Sequence, residues 1–100
     1  MQTITERELE EALASNKKVI LQFSADWCGP CKRFTPILES FAKSYDELSV
    51  FKVDIGMQAN LAKRFDVQSI PKIVLFDNGE EIKSAVGLMN EGRLQTFIND

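Results

Sequence analysis

Between Lys18 and Ser24 the chain runs Val19-Ile20-Leu21-Gln22-Phe23, apolar at almost every position. A strand with one wet face would alternate, so a stretch of this kind belongs to a strand covered on both faces. That restricts the fold to a sheet sandwiched between helices. The flanking segments agree. Thr5-Glu6-Arg7-Glu8 has the form of a capping box, and Leu9, Ala12 and Leu13 follow at helical spacing towards an end near Ser15-Asn16. Beyond the strand, Phe34, Ile37, Leu38, Phe41 and Tyr45 share one face of a long helix, with Pro36 as a kink.

Leu48 to Asp54 reads as a second strand and Gln58 to Phe65 as a short helix. Pro71 precedes a third strand over Lys72 to Phe76, and Asp77-Asn78-Gly79 is a tight-turn signal into a short strand near Glu81–Ser84. Asn90 is placed to cap a last helix carrying Leu94, Phe97 and Ile98. Helices between strands imply parallel pairs, with the final hairpin as an antiparallel edge. The expected fold class is α/β, a central mixed β-sheet flanked by helices on both faces. Nothing marks a boundary or linker, so residues 1–100 are expected to form a single domain.

Two cysteines, Cys28 and Cys31, and no histidine are present. A structural zinc site needs four ligands, and an iron–sulfur cluster needs four as well. Attachment of c-type haem requires His after the second Cys, where Lys32 stands. Thiol–disulfide chemistry remains. The loop closed by Cys28 and Cys31 is too short to stabilise the fold much, so the pair is there for reactivity. Cys28 follows a buried strand and starts a long helix, whose unpaired N–H groups and dipole favour a thiolate. Gly29 and Pro30 suit the first helical turn. Cys31, one turn in and more buried, should titrate higher, so Cys28 attacks and Cys31 resolves.

The remaining composition narrows the setting. A hydrophobic fraction of 44% with 27% charged residues is that of a soluble globular protein. A net charge of −3 argues against nucleic acid as a partner. The N-terminus carries no signal-peptide pattern, and no apolar run is long enough to span a membrane. A cytoplasmic setting is expected, where a catalytic disulfide is more natural than a structural one.

Trp27-Cys28-Gly29-Pro30-Cys31-Lys32 resembles the active-site motif of thioredoxins, and Ser69-Ile70-Pro71 resembles their cis-proline loop. Asp77-Asn78-Gly79 and Val86-Gly87 fall where that family has its hairpin turn and groove glycine. The resemblance covers essentially the whole chain, with Gln2-Thr3-Ile4 as a minimal first strand. It implies that Cys28 attacks a client protein's disulfide and Cys31 resolves the mixed disulfide. A thioredoxin reductase would restore the dithiol, holding the flavin and nicotinamide itself, so that this chain carries no cofactor and no metal. The resemblance makes Pro71 a cis-proline beside the sulfurs. The Ile70 backbone would pair with an extended client peptide, and Trp27, Gly87 and Leu88 would line the same groove. A monomer is expected.

Gln22 departs from the pattern, because thioredoxins usually carry a buried Asp five residues before the Trp. A buried Gln can hydrogen-bond but takes no proton from Cys31 at neutral pH. Lys52, matching the usual partner lysine, would lack its carboxylate, and Asp26 and Asp54 are the alternative acid–base groups. Slower resolution and higher stability than in a typical member are expected. Lys72 stands where the family usually has Thr, as a solvated surface lysine or, with Lys32, as positive charge near Cys28. Gln22 also keeps a rival reading open, a client-binding adaptor in which turnover matters less.

Overall fold

The computed structural model describes residues 1–100. In chain order the elements are β1 (Gln2–Thr3), α1 (Glu6–Ser15), β2 (Lys18–Ser24), α2 (Gly29–Lys43), β3 (Leu48–Asp54), α3 (Ala59–Arg64), β4 (Lys72–Asp77), β5 (Glu80–Val86) and α4 (Glu91–Asn99). They form a mixed sheet in the order β1-β3-β2-β4-β5, with β2 at its centre.

Strand β2 buries both faces, as its apolar run requires. Val19, Leu21 and Phe23 face one core with Leu9 and Leu13 of α1 and Leu61 of α3. Ile20 faces the other with Phe34, Leu38 and Phe41 of α2 and Leu94 and Ile98 of α4. The two-residue period of a strand divides one segment between the two layers. Phe23 is wholly buried, and its replacement by Ala would cost about 3–5 kcal/mol.

Helix and strand lengths decide strand direction. The 15 residues of α2 rise about 22 Å, close to the roughly 23 Å of a seven-residue strand. The chain leaving β2 therefore returns to the starting end, and β3 pairs with it in parallel. Helix α3 has six residues and rises only about 9 Å. It cannot recross the sheet, so β4 starts at the end where β3 stopped and runs antiparallel to β2. This corrects the expectation that every helix-separated strand lies parallel.

The hairpin is longer than expected, with β5 paired from Glu80 to Val86. Asn78 and Gly79 have φ of 52° and 82°, the two positive values a two-residue I′ turn needs. Thr5 and Glu8 form the capping box of α1, and the Asn90 side chain caps α4. Pro36 lies inside α2 without ending it. No helix is long and apolar enough to cross a membrane.

Candidate active site

Four loops meet at one end of the sheet. Residues 25–28 leave β2, residues 55–57 leave β3, residues 69–71 enter β4, and residues 87–88 leave β5. Each comes from a different part of the sequence, and the two cysteines lie among them.

Cys28 and Cys31 are joined in a disulfide, with their Cα atoms 5.3 Å apart. Cys28 is the N-cap of α2, and its Sγ accepts a hydrogen bond from the Cys31 N–H at 3.2 Å. Ser, Thr, Asp or Asn usually fills this position, so a sulfur here takes the role of the capping oxygen. The Cys28 N–H donates to Ala25 O at 3.1 Å, which fixes the turn leading into the helix. Gly29 and Pro30 form the first turn, exposed to solvent. Cys28 is 5% exposed and Cys31 1%, so the expected contrast in burial is present but small in the oxidised form. Ala25 packs with both sulfurs, and Ile55 and Ile70 close over them.

The Ile70–Pro71 peptide bond is cis, and Pro71 is buried. Its carbonyl accepts from the Gly87 N–H at 2.8 Å, tying the start of β4 to the end of β5. Gly87 has φ of 108°, and a Cβ there would meet nothing within 4 Å. Backbone conformation, not crowding, calls for glycine at this point. Around the sulfurs the surface is apolar: Trp27 is 78% exposed, and Val86 and Leu88 are exposed too. Trp27 is therefore not a core aromatic. Met57, 79% exposed on the turn after β3, is a further exposed apolar side chain at this end of the sheet and was not singled out by its sequence context.

Beneath the disulfide the surroundings are polar and fully paired. Gln22 is wholly buried, with its Nε2 donating to Cys31 O at 3.0 Å. Its Oε1 accepts from the Thr35 hydroxyl at 3.0 Å, and that hydroxyl also lies 3.1 Å from Cys31 O. Thr35 is a site residue that the sequence reading missed. It stands four residues after Cys31 and so on the same helix face, which could have marked it as the partner a buried Gln needs.

Lys52 is Gln22's neighbour across the β2–β3 pair, half-buried and without an ion pair. With Ser24, Asp26, Lys32 and Asp54 it lines a cleft of about 140 Å³ that reaches Cys31. Asp54 Oδ1 is occupied in part by the N–H groups of Gly56 at 2.8 Å and Met57 at 3.1 Å. Further along α2, Glu39 has its carboxyl held below the usual range. The hydrogen bond from the Met1 ammonium is the main cause, partly opposed by desolvation, with the charges of that ammonium, Lys43 and Lys52 adding to it. Lys72 is not a solvated lysine: its Nζ donates to Phe65 O at 2.7 Å and to Asp66 O at 3.3 Å.

Comparison with known proteins places this geometry. A family model described as Thioredoxin matches residues 1–100. The thioredoxin of Chlamydia trachomatis is 35% identical over 99 residues, covering 99% of this chain and 96% of that protein. A bifunctional thioredoxin reductase/thioredoxin of Mycobacterium leprae is 38% identical over 91 residues, covering 90% of this chain and 20% of that protein. Among solved structures, oxidised mitochondrial thioredoxin 3 of Saccharomyces cerevisiae superposes with a TM-score of 0.89 at 29% identity, covering 100% of this chain and 94% of that one.

Proposed function

This chain belongs to the thioredoxin family, and we propose that within it Cys28 is the nucleophile and Cys31 the resolving thiol in the reduction of client-protein disulfides. It is a thiol–disulfide oxidoreductase whose redox centre is the Cys28–Cys31 pair. The observation that carries the division of labour is the Cys31 N–H directed at Cys28 Sγ on the N-cap of α2. A donor fixed at that sulfur, at the positive end of a helix, lowers the energy of a thiolate there.

In the reduced form the Cys28 thiolate attacks one sulfur of a client disulfide. The client S–S bond breaks, its second sulfur leaves as a thiolate, and a mixed disulfide links Cys28 to the client. Cys31 then loses its proton and attacks Cys28 Sγ, releasing the second client thiolate. Two electrons pass to the client, and the Cys28–Cys31 disulfide remains. The exposed apolar surface of Trp27 and Leu88, with Ile70, Pro71 and Gly87, suits an extended peptide segment better than a small molecule, and the Ile70 backbone pairs with it.

Gln22 acts by position. It holds the carbonyl of the resolving cysteine and has no proton to exchange at neutral pH. The proton of Cys31 leaves instead through water in the cleft beside Lys52, where Asp26 and Asp54 offer carboxylates. A thioredoxin reductase restores the dithiol. Support for that donor comes from the Mycobacterium leprae relative, whose name joins the two activities. A reducing compartment such as the cytoplasm suits this cycle.

Turnover of insulin disulfides with NADPH and a thioredoxin reductase tests the reading. Activity is expected in the wild type and none in Cys28→Ser. No turnover in the wild type, alongside intact client binding, would favour the adaptor reading that the missing carboxylate leaves open.

A further inference from the structure

Helix α3 ends in a cap that lies next to the cis-proline loop. The Asp66 N–H donates to Lys63 O at 3.1 Å and the Val67 N–H to Ala62 O at 2.8 Å, the paired bonds of a Schellman ending. Asp66 takes the left-handed position with φ of 51°, although it is not glycine. Within that motif the carbonyls of Phe65 and Asp66 lie past the pair of bonds, and the Lys72 ammonium takes both.

Lys72 comes from the far side of the loop. It directly follows Pro71, and its backbone lies between Phe23 of β2 and Val86 of β5 in the sheet register. Its main chain is thus anchored in the sheet, while its side chain reaches back to the residues where the loop begins. Gln68 Nε2 adds a shorter tie to Asp66 Oδ1 at 3.0 Å. Residues 66–71, which carry Ile70, are closed into a ring by a single side chain. A cation donating to two carbonyls at a helix C-terminus is favourable for its charge as well as its hydrogen bonds.

We propose that Lys72 is a positioning residue for client recognition, holding the Ile70 backbone in the conformation that pairs with an extended disulfide-bearing peptide. This rests on the reading that Ile70 pairs with the client. A pre-set strand edge binds without the cost of ordering itself, so the effect belongs to affinity and not to chemistry at sulfur.

Steady-state reduction of a disulfide peptide by wild type, Lys72→Met and Lys72→Arg, with a small aryl disulfide as a second substrate, tests this. Lys72→Met is expected to raise KM for the peptide about 3- to 10-fold with kcat unchanged, the range that follows from losing one or two ordered groups. Its rate with the aryl disulfide, which has no backbone to pair, should stay at the wild-type value, and Lys72→Arg should restore the peptide KM. An unchanged peptide KM, or an equal loss with both substrates, overturns the proposal. If Lys72→Met does not fold, Lys72→Gln, whose amide is too short to reach both carbonyls, is held to the same outcomes. A peptide N-methylated beside its cysteine separates the Ile70 pairing from the role of Lys72. If the wild type loses no affinity for it, the Ile70 pairing fails and the inference fails with it. If that penalty is present and Lys72→Met binds the unmodified peptide normally, only the role of Lys72 is overturned.

Discussion

The two sides of the Cys28–Cys31 disulfide are built in opposite ways. On the outer side Trp27, Met57, Val86 and Leu88 hold apolar surface in solvent, where it contributes little to folding. On the inner side Gln22 holds its amide out of solvent and the half-buried Thr35 bonds to it, so that each polar atom has a partner. One side leaves apolar area unburied, the surface that the proposed function gives to a client. The other fixes the backbone of the resolving cysteine with groups whose partners must all be present. Recognition and positioning are thus separable by mutation, although only one pair of sulfurs lies between them.

The largest expected break is Cys31→Ser, which removes the inner thiol and should stop the reaction after the first attack. Mixed disulfide should accumulate, visible by mass spectrometry, with turnover down at least about 10³-fold. Rapid release of client would contradict the assignment of Cys31 as resolver. Gln22→Leu probes the inner side alone. It strips a donor from Cys31 O and an acceptor from Thr35, at about 1–3 kcal/mol in chemical denaturation.

Gln22→Asp asks whether the inner side can be turned from positioning to proton transfer. A carboxylate across from Lys52 would give Cys31 a base, raising the resolution rate about 10-fold while lowering stability through an additional buried charge. Unchanged turnover together with unchanged stability would show that the amide is a neutral replacement. Trp27→Ala should do the reverse of Gln22→Leu. Stability should move by no more than about 0.5 kcal/mol, since the ring is exposed, while KM for protein disulfides rises a few-fold. A stability loss equal to that of Gln22→Leu would erase the distinction between the two sides.

Glu39→Gln, on α2 away from the sulfurs, should have the smallest effect. The folded pKa of Glu39 lies below its ordinary value, so its contribution to stability is present above that ordinary range and is lost as pH falls through the lowered value. The variant should flatten the acid side of the stability–pH curve and leave disulfide reduction near neutrality unaltered. A change in reduction rate would mean that this carboxylate acts on the redox pair.

Local pattern carried most of the elements. β2 and α2 were legible because apolar spacing is a property of neighbouring residues, and the division of Val19, Leu21 and Phe23 from Ile20 and Gln22 followed from it. The direction of β4 was not legible in the same way, since it depends on how far α3 rises compared with the width of a sheet it does not belong to. At the site, the burial of Gln22 could be read from its strand, whereas its partner Thr35 was marked only by its i+4 spacing from Cys31, a signal that means something once Gln22 is known to lie beneath that turn. Lys72 was misjudged for a related reason. A long flexible side chain finds its partners only after the α3 ending and the sheet have been placed beside one another.

The Gly87 N–H bond to Pro71 O has a consequence for how the protein comes into being. The groove takes residues from both halves of the chain, and its last strut is the amide of residue 87. A growing polypeptide that has emerged as far as β3 already carries both cysteines yet has no surface to select among disulfides. Such a nascent chain holds two ordinary thiols, open to any oxidant or stray partner it meets. Discrimination begins when the C-terminal hairpin closes, so the order of synthesis puts reactivity first and specificity last.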